Sequence, residues 1–157
     1  MPEVARFRIP LTRPFIARSE VAAVTEVLES RWLTQGRFVQ QLEADFTALA
    51  RVPHAVACSN ATVGLEMVLR AAGIRKGSRV VVPDFTHPAT ANAARILGAS
   101  VVLIDVNPDS YTLDWAKAAR AAALKPVDAA IPVSLFGHPV CVQGLSLIHI
   151  SEPTRPY

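Results

Sequence analysis

The sequence has 157 residues, 51% of them hydrophobic and 18% charged, which is enough chain for one domain with a real core and too apolar for a disordered one. A formal net charge of +3, with no basic run and no interleaving of aromatic and basic residues, speaks against a nucleic-acid partner. No apolar run approaches the roughly 18 residues of a membrane span, and the mean hydropathy of +0.30 is oily for a soluble domain of this size.

Taken in chain order, residues 9–15 (I-P-L-T-R-P-F) carry two prolines and read as an extended arm. Ser19 is placed to cap a helix whose apolar face is Val21, Val24 and Leu28. Residues 32–36 (W-L-T-Q-G) break the periodicity as a loop, and a second helix follows with Val39, Leu42, Phe46 and Leu49 on one side. Residues 55–59 are small, apolar or β-prone and read as a short buried strand. Leu65, Val68, Leu69 and Ala72 then recur at the i, i+3, i+4, i+7 spacing of a helical face. Ser59, Asn60, Ala61 and Thr62 form the polar turn between them. A helix begins there with N–H groups that have no internal partner, at the positive end of the peptide dipoles. Such an elbow can cradle a phosphate, or be an ordinary helix cap by Ser59, Asn60 or Thr62.

Beyond it, residues 73–77 make a turn and 79–83 (R-V-V-V-P) a buried strand. Residues 90–97 read as an alanine-rich helix closed by Gly98, and 100–105 as another strand. Residues 107–109 form a turn, Asp114 caps a helix through Ala122, and 129–134 read as a further strand. Strands alternating with helices mean βαβ units and a mostly parallel sheet, the α/β class. Ligand chemistry in such folds gathers where strand C-termini meet, the rim shared by residues 59–62, 84–90 and 136–139. The first residues, M-P-E-V-A-R-F-R-I-P, carry no apolar core of signal-peptide length. Cys58 and Cys141 sit in no metal- or redox-type pair. The expectation is therefore a cytoplasmic protein, with Cys58 a buried small hydrophobe and no metal site.

Six pieces in the same order resemble the DegT/DnrJ/StrS-type sugar aminotransferases that depend on pyridoxal 5'-phosphate (PLP). They are I-P-L-T-R-P-F, W-L-T-Q-G, C-S-N-A-T-V-G-L, V-V-V-P-D-F-T-H-P-A-T-A-N-A, D-V-N-P-D-S-Y-T-L-D and I-P-V-S-L-F-G-H-P, running from about residue 9 to about residue 145. The resemblance implies part of an aspartate-aminotransferase-like three-layer fold with a mostly parallel sheet. Residues 1–54 would be an N-terminal arm with helices, and 55–145 a partial, truncated PLP-binding large domain. Residues 146–157 (S-L-I-H-I-S-E-P-T-R-P-Y) depart from the pattern and read as a foreign, adapter-like tail.

It also implies site residues. Asn60, Ala61 and Thr62 would hold the cofactor phosphate, and His87 stands where the family places a ring on the pyridine face. Ser134 stands where the family more often has histidine, His138 reads as a loop residue, and residues 32–36 match a loop near the active site with a packing and dimer role. The family's Schiff-base lysine and its pyridine-nitrogen aspartate belong to later segments, and Lys76, Lys117 and Lys125 match neither context, so no catalytic residue is assigned. The implied reaction is amino transfer, commonly from glutamate, to a nucleotide-linked keto sugar in a homodimer. A PLP-dependent sugar dehydratase or deoxygenase, or a non-catalytic phosphate-binding module, is the alternative. Because the first strand's neighbour in the complete sheet is a later strand, residues 79–83, 100–105 and 129–134 should pair with one another while 55–59 is unpaired, displaced or wrongly paired, leaving open edges that favour aggregation.

Overall fold

The computed structural model describes residues 13–140. Most of the arm at 9–15, Cys141 and the tail at 146–157 lie outside the described residues. Contacts divide the chain into residues 1–57 and 58–157, which are taken in turn.

The first unit carries two amphipathic helices, α1 (Arg18–Glu29) and α2 (Arg37–Ala50). The cap of α1 is Ala17, not Ser19. The cause is Glu20, whose carboxylate accepts the Ala17 N–H at 2.7 Å and the Ser19 hydroxyl at 3.1 Å. One acidic side chain thus does what the hydroxyl was expected to do. The bonds from the Glu20 N–H, from Ala17 and from Ser19 hold its pKa below the usual carboxylate range. Residues 32–36 are a loop, as their composition implies, and the Trp32 indole N–H donates to the Gln35 carbonyl at 2.8 Å. Glu26 and Arg37 form an ion pair between the helices. Val21, Val24 and Leu28 of α1 and Leu42, Phe46 and Leu49 of α2 are nevertheless all exposed. The periodicity identified the helices, but neither helix buries a residue.

The second unit opens with α3 (Ala61–Ala71) and continues through β1 (Arg79–Pro83), α4 (Ala89–Ile96), β2 (Ser100–Ile104), α5 (Trp115–Leu124) and β3 (Ala129–Ala130). The sheet is parallel with order β2-β1-β3, and Val81 stands opposite both Val102 and Ala130. Successive side chains of a strand point to opposite faces. Val80 and Val82 accordingly enter one core with Leu69 of α3, Ala93 and Ala94 of α4, and Ile131. Val81 enters the other with Ile104, Leu113 and Ala118 of α5. Helices on both faces of the central strand make three layers, which is why R-V-V-V-P is apolar without alternation.

Two expectations for strands change. Residues 55–59 form no ladder, and Val56 is 69% exposed, so this is not a buried strand. No described strand pairs with it, which is the unpaired one of the three outcomes (unpaired, displaced or wrongly paired) that the resemblance allowed. The last strand shrinks from 129–134 to β3. It bonds to β1 alone, the Ile131 N–H adds one more bond to the Val81 carbonyl at 2.9 Å, and Leu135–Gly137 then coils into a short 3-10 turn.

Helix ends follow local chemistry. Asp114 caps α5 by accepting the Lys117 N–H at 3.0 Å, and the helix runs two residues past Ala122. Gly98 closes α4 at φ +75°, a conformation in which a Cβ is strained, and lets the Ala99 N–H reach the Ala94 carbonyl at 3.1 Å.

Candidate functional site

The elbow before α3 has a defined geometry. Asn60 is extended (φ −166°, ψ 168°), its side-chain oxygen accepts the Val63 N–H at 3.1 Å, and its carbonyl accepts the Gly64 N–H at 3.1 Å. Asn60, rather than Ser59 or Thr62, is therefore the cap. That leaves the N–H groups of Ala61 and Thr62, which donate to nothing among the described residues. Ala61 lies in the helix at ordinary negative φ, so alanine presents its N–H here without strain. Thr62 is half-buried, and its hydroxyl likewise has no partner among the described residues. Two free amides and a hydroxyl at the positive end of an eleven-residue helix form a fitting receptor for a dianion. Replacing Asn60 by alanine should lower stability by about 1 kcal/mol through loss of the cap, measurable as a drop in denaturation midpoint.

Cys58 is exposed, contrary to the expectation that it is a buried small hydrophobe. It lies ahead of the helix with its thiol 3.3 Å from the Asn60 carbonyl. A Cβ at Gly64 would come within 3.1 Å of its sulfur, so glycine there makes room for the thiol.

His87 lies on the loop from β1 into α4. It is exposed, and its Nδ1 accepts the Ala89 N–H at 3.1 Å, which fixes the ring's orientation from its own loop. Behind it, the Thr86 and Thr90 hydroxyls bond at 3.1 Å, with Thr90 buried. Helices α3 and α4 pack against each other, so the helix opened by Asn60, Ala61 and Thr62 and the helix that His87 leads into are neighbours. No described hydrogen bond joins the elbow to His87. Ser134 is exposed, with its hydroxyl near the Val140 N–H at 3.4 Å, and His138 is exposed just after the 3-10 turn. The elbow is open surface. A cavity of about 600 Å³ lies elsewhere, in the first unit, lined by Val27, Trp32, Gly36 and Phe38 among others.

Sequence reasoning missed a charged cluster at the strand C-termini. Lys117 bridges Asp105, directly after β2, at 2.5 Å and Asp114 at 3.9 Å. The i, i+3 spacing of Asp114 and Lys117 was a signal for half of it, but only the fold brings in Asp105. The bond from Lys117, followed by its charge, lowers the Asp105 pKa, while the bond from Asp105 raises that of Lys117. A depressed carboxylate stabilises the fold above its unfolded pKa and less as pH falls through the folded value. A raised lysine contributes below its unfolded pKa and loses that effect at strongly alkaline pH. Lys117→Met should therefore lower the melting temperature slightly near neutrality, with the gap closing as the pH falls below about 4.

Compared with known proteins, residues 14–150 match the DegT/DnrJ/EryC1/StrS aminotransferase family, which takes the match into the segment read from sequence as a foreign tail. A DegT DnrJ EryC1 StrS aminotransferase from Brucella abortus is 36% identical with a TM-score of 0.72, over 82% of this chain and 36% of that one. Spr1654 of Streptococcus pneumoniae, described as a sugar aminotransferase and solved in its PLP form, is 28% identical with a TM-score of 0.79, over 89% and 36%. A GDP-4-keto-6-deoxymannose-3-dehydratase holding a trapped PLP-glutamate geminal diamine has a TM-score of 0.81 at 22% identity, over 91% and 38%, which speaks to the fold alone. The chain spans little more than a third of the length of these structures.

Proposed function

Because this chain belongs to the DegT/DnrJ/EryC1/StrS aminotransferase family, we propose that it is the N-terminal part of a PLP-dependent aminotransferase acting on a nucleotide-linked keto sugar. The observation that carries the reading is the start of α3, where the Ala61 and Thr62 N–H groups have no partner among the described residues beside the Asn60 cap. In this reading the two amides and the Thr62 hydroxyl hold the cofactor phosphate. A dianion there gains up to about 2 kcal/mol from the helix dipole and about 1.5–3 kcal/mol from each charged hydrogen bond. His87, whose ring is oriented by the Ala89 N–H, would stack on the cofactor's pyridine ring. The bound cofactor supplies an electron sink for bonds to the substrate carbon.

The reactive lysine and the aspartate for the pyridine nitrogen belong, in this proposal, to chain beyond the family match. Lys76 precedes β1, Lys117 is paired with Asp105, and Lys125 follows α5. Glutamate as amino donor, a homodimeric enzyme and a cytoplasmic setting complete the proposal, supported by family membership. No helix among the described residues is long and apolar enough to cross a membrane.

The test is a titration of the complete, cofactor-free protein with PLP, followed by protein fluorescence, with inorganic phosphate as competitor. Saturable binding that phosphate weakens is the expected result, and an absence of binding would overturn the reading. The family resemblance leaves a second reading, a sugar dehydratase or deoxygenase on the same cofactor site. Incubating the loaded protein with keto sugar and labelled glutamate separates the two, since only the aminotransferase moves the label into the sugar.

A further inference from the structure

The loop from β1 into α4 is tied down on both sides of Phe85. The Asp84 N–H donates to the Ile104 carbonyl at 2.9 Å, the Thr86 and Thr90 hydroxyls bond at 3.1 Å, and the His87 carbonyl accepts the Thr90 N–H at 3.0 Å. Phe85 itself is met from the connection between β2 and α5. Its ring centroid lies 5.9 Å from that of Tyr111, with the two planes tilted by 50°. Tyr111 stands there at φ +55°, its N–H donating to the Asn107 carbonyl at 2.8 Å. A bulky side chain in that left-handed region is strained, whereas glycine adopts it freely. The ring pair adds little to folding against that strain, since each residue is 49% exposed. A strained conformation that stability does not account for points to a role at a site. All of these residues belong to the second unit.

We propose that Tyr111 is a positioning residue for His87: its ring braces Phe85 and so fixes the loop on which His87, two residues on, meets the cofactor's pyridine ring. The role rests on the PLP reading of the site, and Tyr111 touches no cofactor in it. The Ala89 N–H, bonded to His87 Nδ1 at 3.1 Å, sets the rotation of the imidazole about its own side chain. It does not set where the loop backbone stands, and the brace on Phe85 supplies that second restraint. Glycine in place of Tyr111 relieves the strain but leaves Phe85 unsupported. Phenylalanine keeps the ring and loses only the hydroxyl.

The experiment compares the complete wild-type protein with Tyr111→Gly, Tyr111→Phe and Phe85→Leu. The readouts are the denaturation midpoint, residue-resolved hydrogen exchange, and binding of PLP, of inorganic phosphate and of pyridoxal, which lacks the phosphate. In Tyr111→Gly the midpoint should hold or rise, because the strain is gone, while the Ala89 amide exchanges about fivefold faster. Affinities for PLP and for pyridoxal should fall together, about fivefold. Phosphate affinity should stay at the wild-type value, since the elbow at Asn60, Ala61 and Thr62 is untouched. Tyr111→Phe should behave as wild type. Phe85→Leu should reproduce the loss, and combining it with Tyr111→Gly should add nothing. PLP affinity unmoved in Tyr111→Gly would overturn the proposal, as would a fall in phosphate affinity of the same size. A lowered midpoint alongside the loss would make the ring part of the fold's stability and overturn it too. If the wild type binds no PLP, the PLP reading falls by itself, and the Ala89 amide alone decides whether Tyr111 holds the loop.

Discussion

Replacing Thr62 by valine in the complete protein should weaken PLP binding ten- to a hundredfold, about 1.4–2.7 kcal/mol. The substitution keeps the side chain's shape and removes the hydroxyl, and in the structure that hydroxyl makes no described bond that folding depends on. The cap is Asn60, so α3 should form as before, and the loss should fall on ligand affinity rather than on stability. Two comparisons make the result specific. Thr62→Ser retains the donor and should stay within a few-fold of wild type, whereas Thr62→Val should leave pyridoxal affinity unaltered because no phosphate is there to be held. An unchanged PLP affinity in a fluorescence titration would take Thr62 out of the site.

The second large effect is expected in the sheet. Val81 is fully buried, in the central strand of three, with Ile104, Leu113 and Ala118 around it. Val81→Asp would bring a carboxyl group among aliphatic side chains, and an unpaired buried charge costs several kcal/mol or forces its own protonation. Against a typical net stability of about 5–15 kcal/mol, a loss above about 4 kcal/mol should abolish cooperative thermal unfolding and most of the soluble yield. Leu103 provides the contrast. It lies one strand away, on the edge strand β2, and is 62% exposed. Leu103→Asp should change stability by no more than about 0.5 kcal/mol and should raise solubility, because a charge on an edge strand opposes edge-to-edge pairing. Equal damage from the two substitutions would contradict the burial described for β1 and β2.

Much of this architecture was legible before any coordinates. The helical spacing of Leu65 and Leu69 placed α3, and the continuous valines of 80–82 announced a strand covered on both faces. Asp114 was recognisable as a cap because a carboxylate ahead of a helix has an N–H to accept within its own turn. The six family-like pieces pointed to the family that residues 14–150 match. The errors arose where the deciding partner was distant or where a competing group stood nearby. Ser19 lost the cap to the arrangement of Ala17 and Glu20, since a carboxylate at the third helical position can reach back to the cap amide. Cys58 was assigned to the interior from its residue type, but burial needs a second surface, and residues 55–59 join no sheet among the described residues.

What this chain's residues determined on their own is therefore local: which segments coil, which extend, and where a helix begins behind a polar turn. Those outcomes depend on interactions spanning at most about four residues, and a sequence displays such spacings directly. Tertiary structure alone decided that Lys117 meets Asp105 across twelve residues, that Glu43 reaches Ala57 across fourteen, and that β3 stops after two residues. Contacts of that kind are set by which surfaces remain to be covered once the helices and strands exist, and the order of residues along the chain does not state it.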